Sequence, residues 1–197
     1  MRRALLPLPA LLLVAASAGG QVSLVAMEEA VPGIEEPVRL RGPQAGLRFA
    51  PTGRRGLEGE VFDRRLLEAV AGWAPTLAAE GVTGLRYLSC YRRGARIRRS
   101  GRVSGHARGL ALDLAVLERG DLEPLDVEHG WAVRDRGADP CATTDDDDEG
   151  TALWRRVVCR AVADGRFQIV LTPHHDDDHF NHVHLEVKPE VDWVYVR

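Results

Sequence analysis

The sequence predicts an α+β fold, a small antiparallel sheet with flanking helices, and three observations point there. Apolar residues at Leu66, Val70, Trp73 and Leu77 recur with the period of one helix face. Two other segments alternate with period two. Leu110, Leu112, Leu114 and Val116 stand opposite Ala111, Asp113 and Ala115, while Val183, Leu185 and Val187 stand opposite His182, His184 and Glu186. Helices and strands do not take turns in the regular way that builds a doubly wound parallel sheet. With 197 residues the chain suffices for one folded domain.

Taken in order, Arg2 and Arg3 precede an apolar stretch over residues 4–15, and Ala16-Ser17-Ala18 then offers the small-x-small pattern that signal peptidases read. Residues 1–18 are expected to be an export signal, which places the protein in the bacterial periplasm or outside the cell. The stretch is too short to span a bilayer, which takes about 20 apolar residues, and no later segment comes close, so no integral membrane segment is expected after processing. Residues 19–58 mix Gly, Pro, Glu and Arg without a period and read as a linker and irregular lead-in, leaving the domain to residues 59–197. A helix is expected over 61–80, stopped by Gly81, and a short strand over 84–90. Residues 91–103 are too polar and too broken for a core element. A second strand covers 110–116, and 118–150 reads as a loop region. Leu153, Trp154, Val157, Val158, Ala161 and Val162 mark a second amphipathic helix ending near Asp164-Gly165. Strands are expected over 167–171 and 182–188, with 191–196 a candidate for a fifth.

Composition excludes more than it names. With 45% hydrophobic and 28% charged residues, the chain is neither a coiled coil, a solenoid nor a disulfide-dense miniprotein. Its net charge of -3 lacks the basic surplus that holding nucleic acid requires.

The chemistry gathers on histidine. Five of the seven His are His174, His175, His179, His182 and His184. His182 and His184 lie two apart on a predicted strand whose other face is apolar, which aims both imidazoles to one side. A separate segment, Ser104-Gly105-His106-Ala107-Arg108-Gly109-Leu110-Ala111-Leu112-Asp113, sets His106 before a Gly-containing turn and Asp113 between two alanines. If the two strands are neighbours, His106, Asp113 and His184 converge as a two-nitrogen, one-oxygen set, suited to Zn²⁺ with a fourth position for water.

The pattern Ser-x-His-x-x-Gly-x-Ala-x-Asp from Ser104 to Asp113, followed by His182-x-His184, resembles the zinc peptidases that cut D-alanyl or related bonds in bacterial peptidoglycan. These include the D-Ala-D-Ala carboxypeptidases and dipeptidases and the penicillin-insensitive murein endopeptidases. The run His179-x-x-His182-x-His184 is most similar to the endopeptidase and to the bacterial extensin-like C-terminal domain. In the carboxypeptidase branch a Glu stands shortly before the last zinc His, and this sequence has none there. The resemblance covers residues 87–186.

It implies an α+β domain of the hedgehog/D-Ala-D-Ala peptidase type, holding zinc through His106, Asp113 and His184. It further implies an exported hydrolase that cleaves peptide bonds of peptidoglycan, as endopeptidase or carboxypeptidase, by a zinc-activated water. His182 would then act as general base, or else as a hydrogen-bond partner behind the ligands, and His179, before the strand, as a substrate contact or simply an exposed ring. The family's Tyr-Arg pair is matched by Tyr91-Arg92, which gives Arg92 the oxyanion or a substrate carboxylate, with Arg93 as a competitor. Ser104 would orient a zinc ligand. The rival reading is a zinc-containing wall-binding module of extensin-like type without turnover.

Two features fall outside that set. The acidic run from Asp145 to Asp148 with Glu149 lacks calcium-loop spacing and reads as a solvated loop. Three cysteines, Cys90, Cys141 and Cys159, allow one disulfide. The resemblance to extensin-like domains favours Cys90 with Cys159, and Cys141 with Cys159 is the alternative.

Overall fold

Two sheets organise the described residues, which in this computed structural model are 22–27, 29–53, 61–133, 136–142 and 144–197. The expected export signal lies outside them. In chain order the first elements are β1 (Val22–Ala26), β2 (Pro37–Gln44), β3 (Arg48–Pro51), β4 (Val61–Asp63), α1 (Arg64–Ala79) and β5 (Gly84–Ser89). There follow β6 (Ala111–Arg119), β7 (Leu122–Asp126), α2 (Val127–Gly130), α3 (Glu149–Ala163), β8 (Ile169–Leu171), β9 (Val183–Glu186) and β10 (Tyr195–Val196). A three-stranded sheet runs β1-β2-β4. A seven-stranded sheet runs β10-β8-β9-β6-β5-β3, with β7 paired to β6. The α+β class holds. The main sheet is mixed, however, because β3 pairs with β5 and β10 with β8 in parallel.

Both expected helices form for the reason their spacing gives. Leu66, Val70, Trp73 and Leu77 of α1 are all buried, as are Leu153, Trp154, Val157, Val158 and Ala161 of α3. Asp63 caps α1 by accepting from the amide of Arg65, and Asp148 caps α3 by accepting from Thr151 at 2.6 Å. The helices meet where the Trp73 indole N–H donates to the Val157 carbonyl at 2.9 Å, with the Phe167 ring edge-on at 5.7 Å. That hydrogen bond satisfies the indole's polar atom while the rest of the ring buries apolar surface.

Three expectations need correction. Residues 22–51 are not an irregular lead-in, since they form β1 to β3, and Ile34, Val38, Leu47 and Phe49 enter the main core. Their strands are short and interrupted. The β2–β3 turn is a two-residue hairpin between Gln44 and Leu47 whose central residues, Ala45 at φ 48 and Gly46 at φ 85, both take positive φ. Ala carries little signal for such a turn, which Asn-Gly usually announces. The region 118–150 likewise holds β7 and α2, hidden because β7 is largely exposed and lacks apolar alternation. Third, Val116 does not continue the core face of β6. Tyr87 pairs with Leu114 but Arg86 with Val116, so one extra residue on β6 flips the alternation and Leu117 joins the core instead.

Candidate metal centre

The face of β6 and β9 turned away from the core carries the candidate residues. The two strands are antiparallel neighbours, and Asp113 stands directly opposite His184. Period two then sends Leu112, Leu114, Val183 and Leu185 to the core and leaves Asp113, His184 and Glu186 on the other side. His106 arrives from the 3-10 turn Gly105–Arg108 that leads into β6. The Ser104 hydroxyl caps this turn by accepting from the His106 amide at 3.3 Å, and Gly109, at φ 66, ends it. A Cβ on Gly109 would also lie 2.8 Å from the Asp63 nitrogen, so the motif's glycine both reverses the chain and admits the start of α1. Gly105 serves in another way: a Cβ there would strike the Glu186 carboxyl carbon at 2.4 Å.

Three candidate ligand atoms form a near-equilateral triangle. His106 Nε2 lies 3.0 Å from Asp113 Oδ1 and 3.2 Å from His184 Nδ1, and His184 Nδ1 lies 3.1 Å from Asp113 Oδ1. These lengths approach the edge of a tetrahedron, about 3.3 Å for metal bonds near 2.0 Å. All three side chains are buried and could hold a metal ion. Each imidazole is steered from behind. His106 Nδ1 donates to the Cys90 carbonyl at 2.5 Å, and His184 Nε2 faces Glu186 Oε2 at 3.2 Å. With a cation bound, those contacts would leave the lone pairs of His106 Nε2 and His184 Nδ1 aimed inward, so the donor set fits a cation of zinc type.

Electrostatics bear the same mark. Burial would raise the Asp113 carboxyl, but hydrogen bonds from His106 and His184 hold it well below the ordinary value. Burial opposes protonation of His184, yet Asp113 and Glu186 overcome it and raise that ring to about 9. Two imidazoles and two carboxylates around one point thus demand positive charge there. Burial lowers His106, with Asp113 pulling the other way.

The remaining candidates surround this triangle. His182 Nε2 lies 3.5 Å from Asp113 Oδ1 while its Nδ1 meets Asn181 Oδ1 at 3.0 Å. Burial pushes this ring down to about 4, so it is neutral near pH 7. His179 packs against His182 with the rings tilted and their centroids 5.1 Å apart. Arg92 is exposed and donates its backbone N–H to the His106 carbonyl at 3.0 Å, and its charge is among the influences lowering His106. Arg93 is exposed beside it. Ser104 reaches the backbone of His106 rather than a ring. The Glu186 and Cys90 contacts were not assigned roles from sequence, although Glu186 shares the His184 strand face, which is the signal that points to it. A cleft lined by Arg41, Arg48, Phe49 and Tyr87 lies beside β3 and holds none of these residues.

Comparison with known families matches residues 21–197 to the model described as extensin-like protein C-terminus. The chain belongs to that family. The match takes in the strands before residue 59 as well as the face with the candidate metal ligands, so the extensin-like unit is the whole described fold. A comparison with curated proteins finds no match.

The disulfide departs from the pairing the resemblance favoured. Cys141 bonds Cys159, with Cα atoms 5.6 Å apart, and Cys90 lies buried outside the bridge with its carbonyl engaged by His106. Cys90 follows β5 beside the centre, whereas Cys159 lies on α3 and is bonded to Cys141 in the loop before it. The acidic run is not simply solvated either: Asp147 pairs with the buried Arg155 at 3.1 Å and Asp148 caps α3. No described helix is long and apolar enough to cross a membrane.

Proposed function

We propose that this extensin-like protein is an exported zinc-dependent hydrolase acting on peptide bonds of bacterial peptidoglycan. The observation that carries the reading is His182, a neutral imidazole beside the triangle that is not needed as one of its three ligands. Zinc held by His106, Asp113 and His184 would supply Lewis acidity and lower the pKa of a water. His182 accepts the proton of the attacking water and returns it to the leaving amine. Arg92, at the exposed edge, meets the oxyanion or a substrate carboxylate, and His179 contacts substrate. Glu186 and the Cys90 carbonyl keep the two ligand imidazoles in register. The disulfide supports an oxidising compartment, as export to the periplasm or beyond provides.

The test pairs two variants on purified sacculi. His106→Ala should lose bound zinc together with muropeptide release, and full activity in that variant ends the proposal. His182→Ala should keep zinc and lose hydrolysis. A wild-type protein that binds sacculi yet releases nothing supports instead a wall-binding module that retains its metal for structure.

A further inference from the structure

The loop between β8 and β9 holds a second convergence of ligating groups, which the reading above leaves largely unused. His179 Nδ1 lies 2.5 Å from Asp176 Oδ1, and His175 Nε2 lies 3.4 Å from Asp176 Oδ2. One ligand atom from each of the three residues falls within 4.8 Å of the others. Three carboxylates follow one another here, and two are drawn elsewhere: Asp177 pairs with Arg136, and Asp178 with Arg98 at 3.7 Å. Asp176 turns to the imidazoles, and its carboxylate is fixed by accepting from the Asp178 amide at 3.1 Å. All three residues are half-buried, so solvent can complete a coordination shell.

We infer that His175, Asp176 and His179 form a second divalent-cation site, separate in its residues from the buried centre. Two imidazoles and one carboxylate suit Zn²⁺ better than Ca²⁺ or Mg²⁺, which favour oxygen throughout. The Asp176 carboxylate brings a negative charge to the set, which draws a dication. The site adjoins the first through His179, whose ring centroid is 6.2 Å from that of His184. Its exposure and its place on a turn make it the weaker of the two.

The processed protein, loaded with one equivalent of Zn²⁺, is titrated with further zinc chloride by calorimetry, with equilibrium dialysis giving stoichiometry. A second equivalent should bind, and His175→Ala and Asp176→Asn should each weaken it at least tenfold. Retention of the first equivalent in both variants shows that they fold. Absence of a second equivalent, or a second equivalent unchanged in both variants, overturns the inference. An ion retained by His106→Ala and lost by His175→Ala would sink the buried centre while supporting this site, so the two readings fail separately.

Discussion

The segments 131–148 and 172–182 look alike in sequence and are held in opposite ways. Each carries an aspartate run, each lacks a hydrophobic period, and each precedes a regular element. The first is built around a buried cation. Arg155, 2% exposed, donates to the carbonyls of Pro140 at 2.8 Å, Ala142 at 3.3 Å and Ala132 at 3.3 Å, and pairs with Asp147. Cys159, one helical turn further along α3, adds the covalent bond to Cys141. The second segment relies on imidazoles and on exposed arginine pairs such as Arg98 with Asp178, whose side chains are 85% and 63% exposed. A run of aspartates therefore says little alone: burial of the partner decides whether it anchors a fold or lines a site.

The largest effect that would break this comparison is on Arg155. Arg155→Ala leaves Asp147 and three carbonyls without their donor and should cost about 3–5 kcal/mol in urea denaturation. Removing the bridge with Cys141→Ser should cost about 2–4 kcal/mol. Arg98→Ala, in the second segment, should cost less than about 1 kcal/mol, because solvent screens its partner. Equal losses from Arg155→Ala and Arg98→Ala would show that the two segments are held alike.

The next effect concerns β9, the strand that the second segment precedes. Glu186 orients His184 from behind, and such partners are typically worth about 10–100-fold in metal affinity. Glu186→Gln keeps an acceptor oxygen but not the charge, and should weaken zinc about tenfold in competition with a chromophoric chelator. Glu186→Ala should approach a hundredfold. Cys141→Ser should leave zinc affinity unchanged, since none of the hydrogen bonds and ion pairs of the triangle described above involves Cys141 or Cys159.

Much of the centre was legible because period two is a strict rule. Once His184 and Asp113 were placed opposite apolar neighbours, adjacency of β6 and β9 was the single missing fact, and the register Asp113 to His184 supplies it. Helices α1 and α3 were legible for the same reason at period 3.6. What stayed hidden depends on partners far apart in sequence. The strands before residue 59 bury isolated residues such as Val38 and Phe49 against elements that follow them. Arg155 reads as one more helix charge until the loop folds over it. The extra residue on β6 has no local signature, and it moved the core position from Val116 to Leu117. The cysteine pairing was open because spacing alone does not say which thiols α3 and its neighbouring segment bring together.

A smaller effect than that of Arg155 places the same contrast on a pH axis. Asp63 is fully buried, and burial alone would raise its carboxyl; the Arg65 guanidinium, at 2.8 and 2.9 Å, and the amides of Arg65 and Glu36 reverse this and hold it below the ordinary value. Because the folded chain depresses this pKa, its contribution is full above the unfolded value, near ~3.9, and is lost as pH falls through the folded one. Asp63→Asn keeps a good helix cap but gives up the charge, and should cost about 1 kcal/mol at pH 7. Denaturation midpoints measured from pH 7 to pH 2 should show the wild type and Asp63→Asn converging at the acid end. Midpoints that stay equally far apart down to pH 2 would mean that the Asp63 charge does not carry this part of the acid sensitivity.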